Sequence, residues 1–246
     1  GTKLVASATS DQLYTSTDSG LTWTARESSR QWRVVASSAD GTKLVAGVQG
    51  GQLYTSTDSG ITWTARDSDR NWWAVASSAD GTKLVACVLG GQLYTSTDSG
   101  VTWTARESSR AWIFVASSAD GTKLVACVDY GQLYTSTDSG ATWTPRGSNR
   151  QWSGVASSAD GTKLVAAALR FHPADGGGDR LYTSIDSGVT WTARESSQLW
   201  QAVVSSADGT KLVACVSGGQ LFISTDSGVT WTARDSVRQL LSAIAT

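Results

Sequence analysis

Gly-Thr-Lys-Leu-Val-Ala begins at Gly1, Gly41, Gly81, Gly121, Gly161 and Gly209, so the 246-residue chain is built from six near-identical units. Their spacing is 40 residues four times and 48 once. A unit of that size cannot bury its apolar surface alone and must stack on copies of itself, which restricts the fold to solenoids, propellers or arrays. The units follow one another without a linker, so residues 1–246 are expected to form a single domain.

The elements inside a unit separate these options. Residues 31–70 hold four runs rich in Val, Thr, Tyr and Trp, separated by Asp-Gly, Gly-Gly and Asp-Ser-Gly. Asp-Gly and Gly-Gly accept positive φ and mark tight hairpins. No run has the length or the 3.6-residue period of a helix. Each unit therefore predicts a four-stranded antiparallel meander, the size of one propeller blade. The chain starts inside an Asp-Gly turn and ends on Gln239-Leu240-Leu241-Ser242-Ala243-Ile244, which matches a first strand such as Gln31–Ala36. The expected fold is an all-β, six-bladed β-propeller whose C-terminal first strand completes the N-terminal blade, removing free sheet edges.

Ser16-Thr17-Asp18-Ser19-Gly20-Leu21-Thr22-Trp23 recurs in register at Ser56–Trp63, Ser96–Trp103, Ser136–Trp143, Ser184–Trp191 and Ser224–Trp231. This Ser-x-Asp-x-Gly-x-Thr-Trp pattern resembles the Asp-box, or bacterial neuraminidase repeat. The resemblance implies a turn between third and fourth strands, in which Asp18, Asp58, Asp98, Asp138, Asp186 and Asp226 hold backbone amides and each Trp packs into its blade. It also implies that these residues are scaffold, remote from any active site. Relatives of that kind include sialidases, other glycoside hydrolases, lectins, sorting receptors and photosystem assembly factors, so the fold does not choose the function.

In such a meander the Asp-Gly turns and Asp-boxes share one face, and the Gly-Gly hairpins and inter-unit links share the other. The first face carries six Lys and eleven Asp, whereas the second receives fourteen Arg and ten acids. A net charge of −1 thus conceals a basic hairpin-and-link face. The small overall charge offers no global field for nucleic acid. No apolar run approaches the roughly 18 residues of a membrane span.

Eleven Arg repeat at two positions, before and after each link. They are expected to pair with nearby acids or stack on Trp, with an anion-binding ring as the sharper alternative. Trp32, Trp72, Trp112, Trp152 and Trp200 are expected in the inter-blade core, with sugar stacking as their alternative role. Positions that differ between otherwise identical units are the better ligand candidates. On the inner strand these are Arg33, Trp73, Ile113, Ser153, Gln201 and Leu241. On the hairpins they are Gln49, Asp129 and Tyr130, together with Arg170 and His172 in the expansion of unit five.

The chemistry available is narrow. One His excludes a His-based metal cluster, and the Gly176–Gly178 run lacks phosphate-loop spacing. Asp175 and Asp179 are too few carboxylates for a calcium loop. No cofactor and no metal are expected. The Arg-Ile-Pro signature of sialidases is absent, and the acids repeat at turns and links rather than pairing in one cleft. Cys87, Cys127 and Cys215 occupy equivalent positions in separate units, too far apart for a disulfide, and read as small buried thiols compatible with a cytoplasmic location. The chain does not begin with Met, so the lack of a leader says little about export. The expected function is a monomeric, non-catalytic scaffold that binds a protein partner, or a glycan, on its hairpin-and-link face. Alternatives are a multivalent lectin, and a designed or recently amplified propeller without a specific ligand.

Overall fold

The Lys-Leu-Val-Ala strand is apolar at consecutive positions, and both of its faces are covered. The computed structural model describes residues 1–170, 180–196 and 198–236. In order, its strands are β1 (Leu4–Ser7), β2 (Thr9–Ser16), β3 (Thr24–Ser37), β4 (Leu44–Ser56), β5 (Thr64–Ser77), β6 (Leu84–Ser96), β7 (Thr104–Ser117), β8 (Leu124–Val128) and β9 (Gly131–Ser136). They continue with β10 (Thr144–Ser157), β11 (Leu164–Arg170), β12 (Arg180–Ser184), β13 (Thr192–Ser196), β14 (Trp200–Ser205), β15 (Leu212–Val216), β16 (Gln220–Ser224) and β17 (Thr232–Ser236). The described residues contain no helix, and hence none long and apolar enough to cross a membrane.

Every ladder is antiparallel. In the last meander Leu212 pairs with Ser224 and Val213 with Ile223, and β14 to β17 follow in sequence order. The rest of the chain departs from the expected pattern of short, separate strands. β1 to β13 form one continuous strand order, because the 14-residue strands run through the links. Thr24–Gln31 of β3 pairs with β2, and Trp32–Ser37 pairs with β4. The links stay extended because hairpin tip and link pair with each other, as in Gln49 with Asn71 and Gly51 with Arg70. Register shifts at these points turn the strand between its two ladders.

Cores form between successive meanders. One face of the second supplies Val45 and Leu53 against Trp72, Leu84, Ala86, Val88 and Tyr94 of the third. The next seam repeats this with Val85, Cys87 and Leu93 against Trp112, Leu124, Ala126 and Tyr134. Each Trp meets a ring edge-on, Trp72 with Tyr94 at 5.3 Å and Trp200 with Phe222 at 5.0 Å between centroids. Such T-shaped pairs contribute about 0.5–1.5 kcal/mol beyond area burial. The neighbouring Trp also explains the variable small residue after Lys-Leu-Val-Ala. A Cβ on Gly47 would lie 3.1 Å from Trp72 Cβ, so only a small side chain fits. Cys87, Cys127 and Cys215 fill that place as buried free thiols, and burial pushes the Cys87 thiol up to about 12.

The Asp-Gly and Asp-Ser-Gly turns lie at the same end, joined by bonds such as Ser59 N–H to Thr42 O at 2.9 Å. Successive Asp-Gly turns are also joined to each other. Ala39 N–H donates to Ala79 O at 2.8 Å, and Ala79, Ala119 and Ala159 continue the series to Ala207.

Candidate functional site

The repeated polar residues are consumed locally. In the turn after β4, Ser56 Oγ donates to Asp58 Oδ1 at 2.7 Å, and Thr62 donates its amide to Oδ1 at 2.9 Å and its hydroxyl to Oδ2 at 2.6 Å. Trp63 Nε1 closes the turn on Gly60 O at 3.0 Å. The Thr62 hydroxyl and amide hold the Asp58 carboxyl down at about 2. The same bonds recur at Asp18, Asp98, Asp138, Asp186 and Asp226. The Asp-Gly turns use their Asp similarly, with Ser78 Oγ donating to Asp80 Oδ1 at 2.6 Å.

The Arg residues are also held, though not as the sequence suggests. Arg26, Arg66, Arg106, Arg146 and Arg194 donate Nε to Thr15, Thr55, Thr95, Thr135 and Thr183 at 2.8–3.0 Å. The link Arg set stacks mainly on Tyr, with Arg30 also 6.0 Å from the Trp32 centroid, as expected. Arg30 lies 5.0 Å from the Tyr54 centroid, Arg70 4.5 Å from Tyr94, Arg110 5.1 Å from Tyr134 and Arg150 4.6 Å from Tyr182. Arg70 also forms an ion pair with Asp67 at 3.4 Å. The link acids Glu27, Asp67 and Glu107 sit where the backbone turns left-handed, and the following meander presents a Tyr ring to each link guanidinium.

The variable inner positions fall into three groups. Arg33 and Trp73 meet, with the guanidinium carbon 3.3 Å from the indole centroid. That cation–π contact joins two meanders at the hairpin-and-link end. Ile113 and Ser153 are turned inward at 7% and 4% exposure, and Ser153 Oγ has no hydrogen-bond partner. Gln201 is exposed and lines a cavity. Trp32, Trp72, Trp112, Trp152 and Trp200 are buried, which removes them as sugar platforms.

On the hairpins Gln49 is exposed at the tip of β4. Asp129 and Tyr130 form the connection between β8 and β9, and burial raises the Asp129 carboxyl. Tyr130 has φ of 52° and is 62% exposed, at a position where Gly50, Gly90 and Gly218 take φ of 70°, 74° and 100°. Arg170 ends β11 opposite Gln151. His172, Leu241 and the closing segment Gln239–Ile244 lie outside the described residues.

Two features escaped the sequence reading. Leu21, Ile61, Val101, Val189 and Val229, the residues after each turn glycine, are exposed aliphatics at the opposite end. The cavity beside Gln201 is the other; its signal was the replacement of bulky residues by polar ones in a single unit.

No family model and no curated protein matches the chain. Solved structures do. A YCF48 bound to a D1 peptide superposes with a TM-score of 0.70 at 17% identity, over 94% of this chain and 78% of that one. YCF48 from Cyanidioschyzon merolae gives 0.73 at 17%, covering 97% and 83%. A GH74 xyloglucanase from Xanthomonas campestris gives 0.73 at 18%, covering 94% of this chain but only 43% of the enzyme. These likenesses show an all-β, propeller-like fold and leave the activity open.

Proposed function

We propose that the protein is a non-catalytic, protein-binding β-propeller of six blades that engages its partner through the hairpin-and-link face. Tyr130 carries this reading. A left-handed conformation costs a residue with a Cβ about 1–2 kcal/mol, and the same position is Gly in the second, third and sixth units and the small Ser10, at φ of 64°, in the first. The ring gains no burial in return, being 62% exposed. An exposed aromatic held in strained backbone is what a contact surface selects for, and Tyr is enriched in such surfaces. The Arg33–Trp73 stack lies at the same end. The YCF48 bound to a D1 peptide is a propeller-like neighbour that engages a peptide, which agrees with this role. Against catalysis stands the commitment of the repeated carboxylates to turn bonds.

The same reading has Gln239–Ile244 complete the first meander. Leu4, Val5 and Ala6 are partly exposed where Leu44, Val45 and Ala46 are buried. The sixth meander leaves Val213 and Leu221 partly exposed where Val45 and Leu53 are buried. The two half-covered faces are the two sides of a missing seam.

Tyr130→Gly is expected to raise the melting temperature while weakening capture of partner proteins from a cell extract. Arg33→Ala with Trp73→Ala should weaken capture further. Unchanged capture by all three substitutions together would remove the hairpin-and-link face from the function.

A further inference from the structure

Seams between meanders differ at the hairpin-and-link end, and one of them holds a half-open pocket. Between the fifth and sixth meanders a cavity of about 360 Å³ is lined by Gln151, Leu169, Leu199, Gln201 and Ser217, within the range of small-ligand sites. The place of Gln201 is taken by Trp73 in the third meander and Ile113 in the fourth, and that of Ser217 by Leu89 in the third. There Trp73, Leu89 and Ile113 belong to one apolar cluster. Between the fifth and sixth meanders their counterparts are Ser153, Leu169 and Gln201, and the loss of the Trp and Ile side chains leaves the corresponding space open.

The lining specifies an occupant. All five lining side chains are uncharged and themselves offer no counter-charge to a bound carboxylate or ammonium. Leu169 and Leu199 are apolar walls, with Leu199 51% exposed at the rim. Gln151 Oε1 is buried with no hydrogen-bond partner, so it requires a donor. Ser153 Oγ, on the same strand where the register breaks, is likewise buried and unpaired but does not line the cavity. Gln201 and Ser217 can both donate and accept. A group with an aliphatic stem, an N–H donor and a C=O acceptor satisfies every one of these demands.

We propose that this cavity is an anchor pocket for a neutral carboxamide, the side chain of Asn or Gln in a peptide partner. The peptide source rests on the binding role given above to this face; the carboxamide preference does not. The test is a chemical-shift titration of the full chain with the N-acetyl, N-methylamide derivatives of glutamine, glutamate and norleucine, among which only the glutamine side chain supplies a primary carboxamide. Expected are saturable shifts confined to residues around Gln151, Leu199, Gln201 and Ser217, with the carboxamide binding at least about tenfold more tightly than either analogue. Gln201→Ile and Ser217→Leu, which restore side chains already accommodated in other seams, should abolish the shifts without lowering the melting temperature. Equal binding of all three probes, no localised shifts, or shifts that persist in Gln201→Ile would overturn the pocket. If Gln201→Ile removes carboxamide binding but leaves partner capture intact, the pocket stands and the peptide source fails. If capture is lost only with Tyr130, Arg33 and Trp73 and no probe binds, the pocket fails and the scaffold role stands.

Discussion

Glu27, Asp67 and Glu107 sit at φ of 56°, 54° and 53° in successive links, and Gly147 occupies the fourth copy at 63°. What holds the acids there is the carbonyl, not the carboxylate. Gln92 Nε2 donates to Glu107 O at 2.7 Å, and Gln132 Nε2 makes the same bond to Gly147 O at 2.8 Å. The left-handed cost to Glu is about 1–2 kcal/mol, and glycine's extra chain entropy returns about half of that. Glu107→Gly should therefore stabilise the protein by about 0.5–1 kcal/mol, read from the urea midpoint. A loss of stability would mean that the Glu107 side chain holds the link after all. The strain was legible in principle, since a Glu-to-Gly exchange within a near-identical repeat is the trace of a positive φ. It becomes visible only when the copies are compared for backbone rather than for chemistry.

Turns are the elements that most resist acid, and they are also where acid should act. The carboxyls of Asp58, Asp138 and Asp186 are held at about 2, first by the hydroxyl of the Thr four residues on. Their folded value lies below the unfolded one, so their contribution is complete above the unfolded carboxyl range and is lost as pH falls through the folded value. The urea midpoint should fall between about pH 5 and pH 2. Asp58→Asn with Asp138→Asn should start from a lower midpoint and show a shallower fall. Parallel acid profiles for wild type and the double variant would exclude these turns as the source. The turn residues could be read directly from the sequence, because the bonds that make them are local. The 14-residue strands could not, since pairing between hairpin tip and link is set by partners some twenty residues apart. The Arg–Tyr stacks were missed for a similar reason: sequence proximity suggests acids, while the strand twist delivers a ring from the following meander.

For the whole molecule, stability comes from seams rather than from individual sheets. Trp143 is 9% exposed inside the array, whereas Trp23, in the first meander, is 44% exposed. If residues 237–246 supply the missing strand, a chain ending at Ser236 should melt several degrees lower and bind an apolar dye, because an open edge and two apolar faces are uncovered. Identical melting of the truncated and full chains would exclude closure by that segment. The spacing of the repeat made the all-β, propeller-like character legible. The cavity was not, because a void is defined by what neighbouring copies put in the same place.

The seams share one chemistry. A Cβ on Gly100 would lie 2.6 Å from Thr55 Cγ2 of the preceding meander, and Gly60 with Thr15, Gly140 with Thr95 and Gly188 with Thr135 repeat the contact. Nothing in such a joint records which copy it belongs to. A gene encoding it can gain or lose a 40-residue module by unequal recombination and leave every remaining joint unchanged. If first and last modules meet as proposed, their number is selected by the circumference that lets them do so. Inheritance can vary the polar loops of each copy while the stack itself is transmitted as a count.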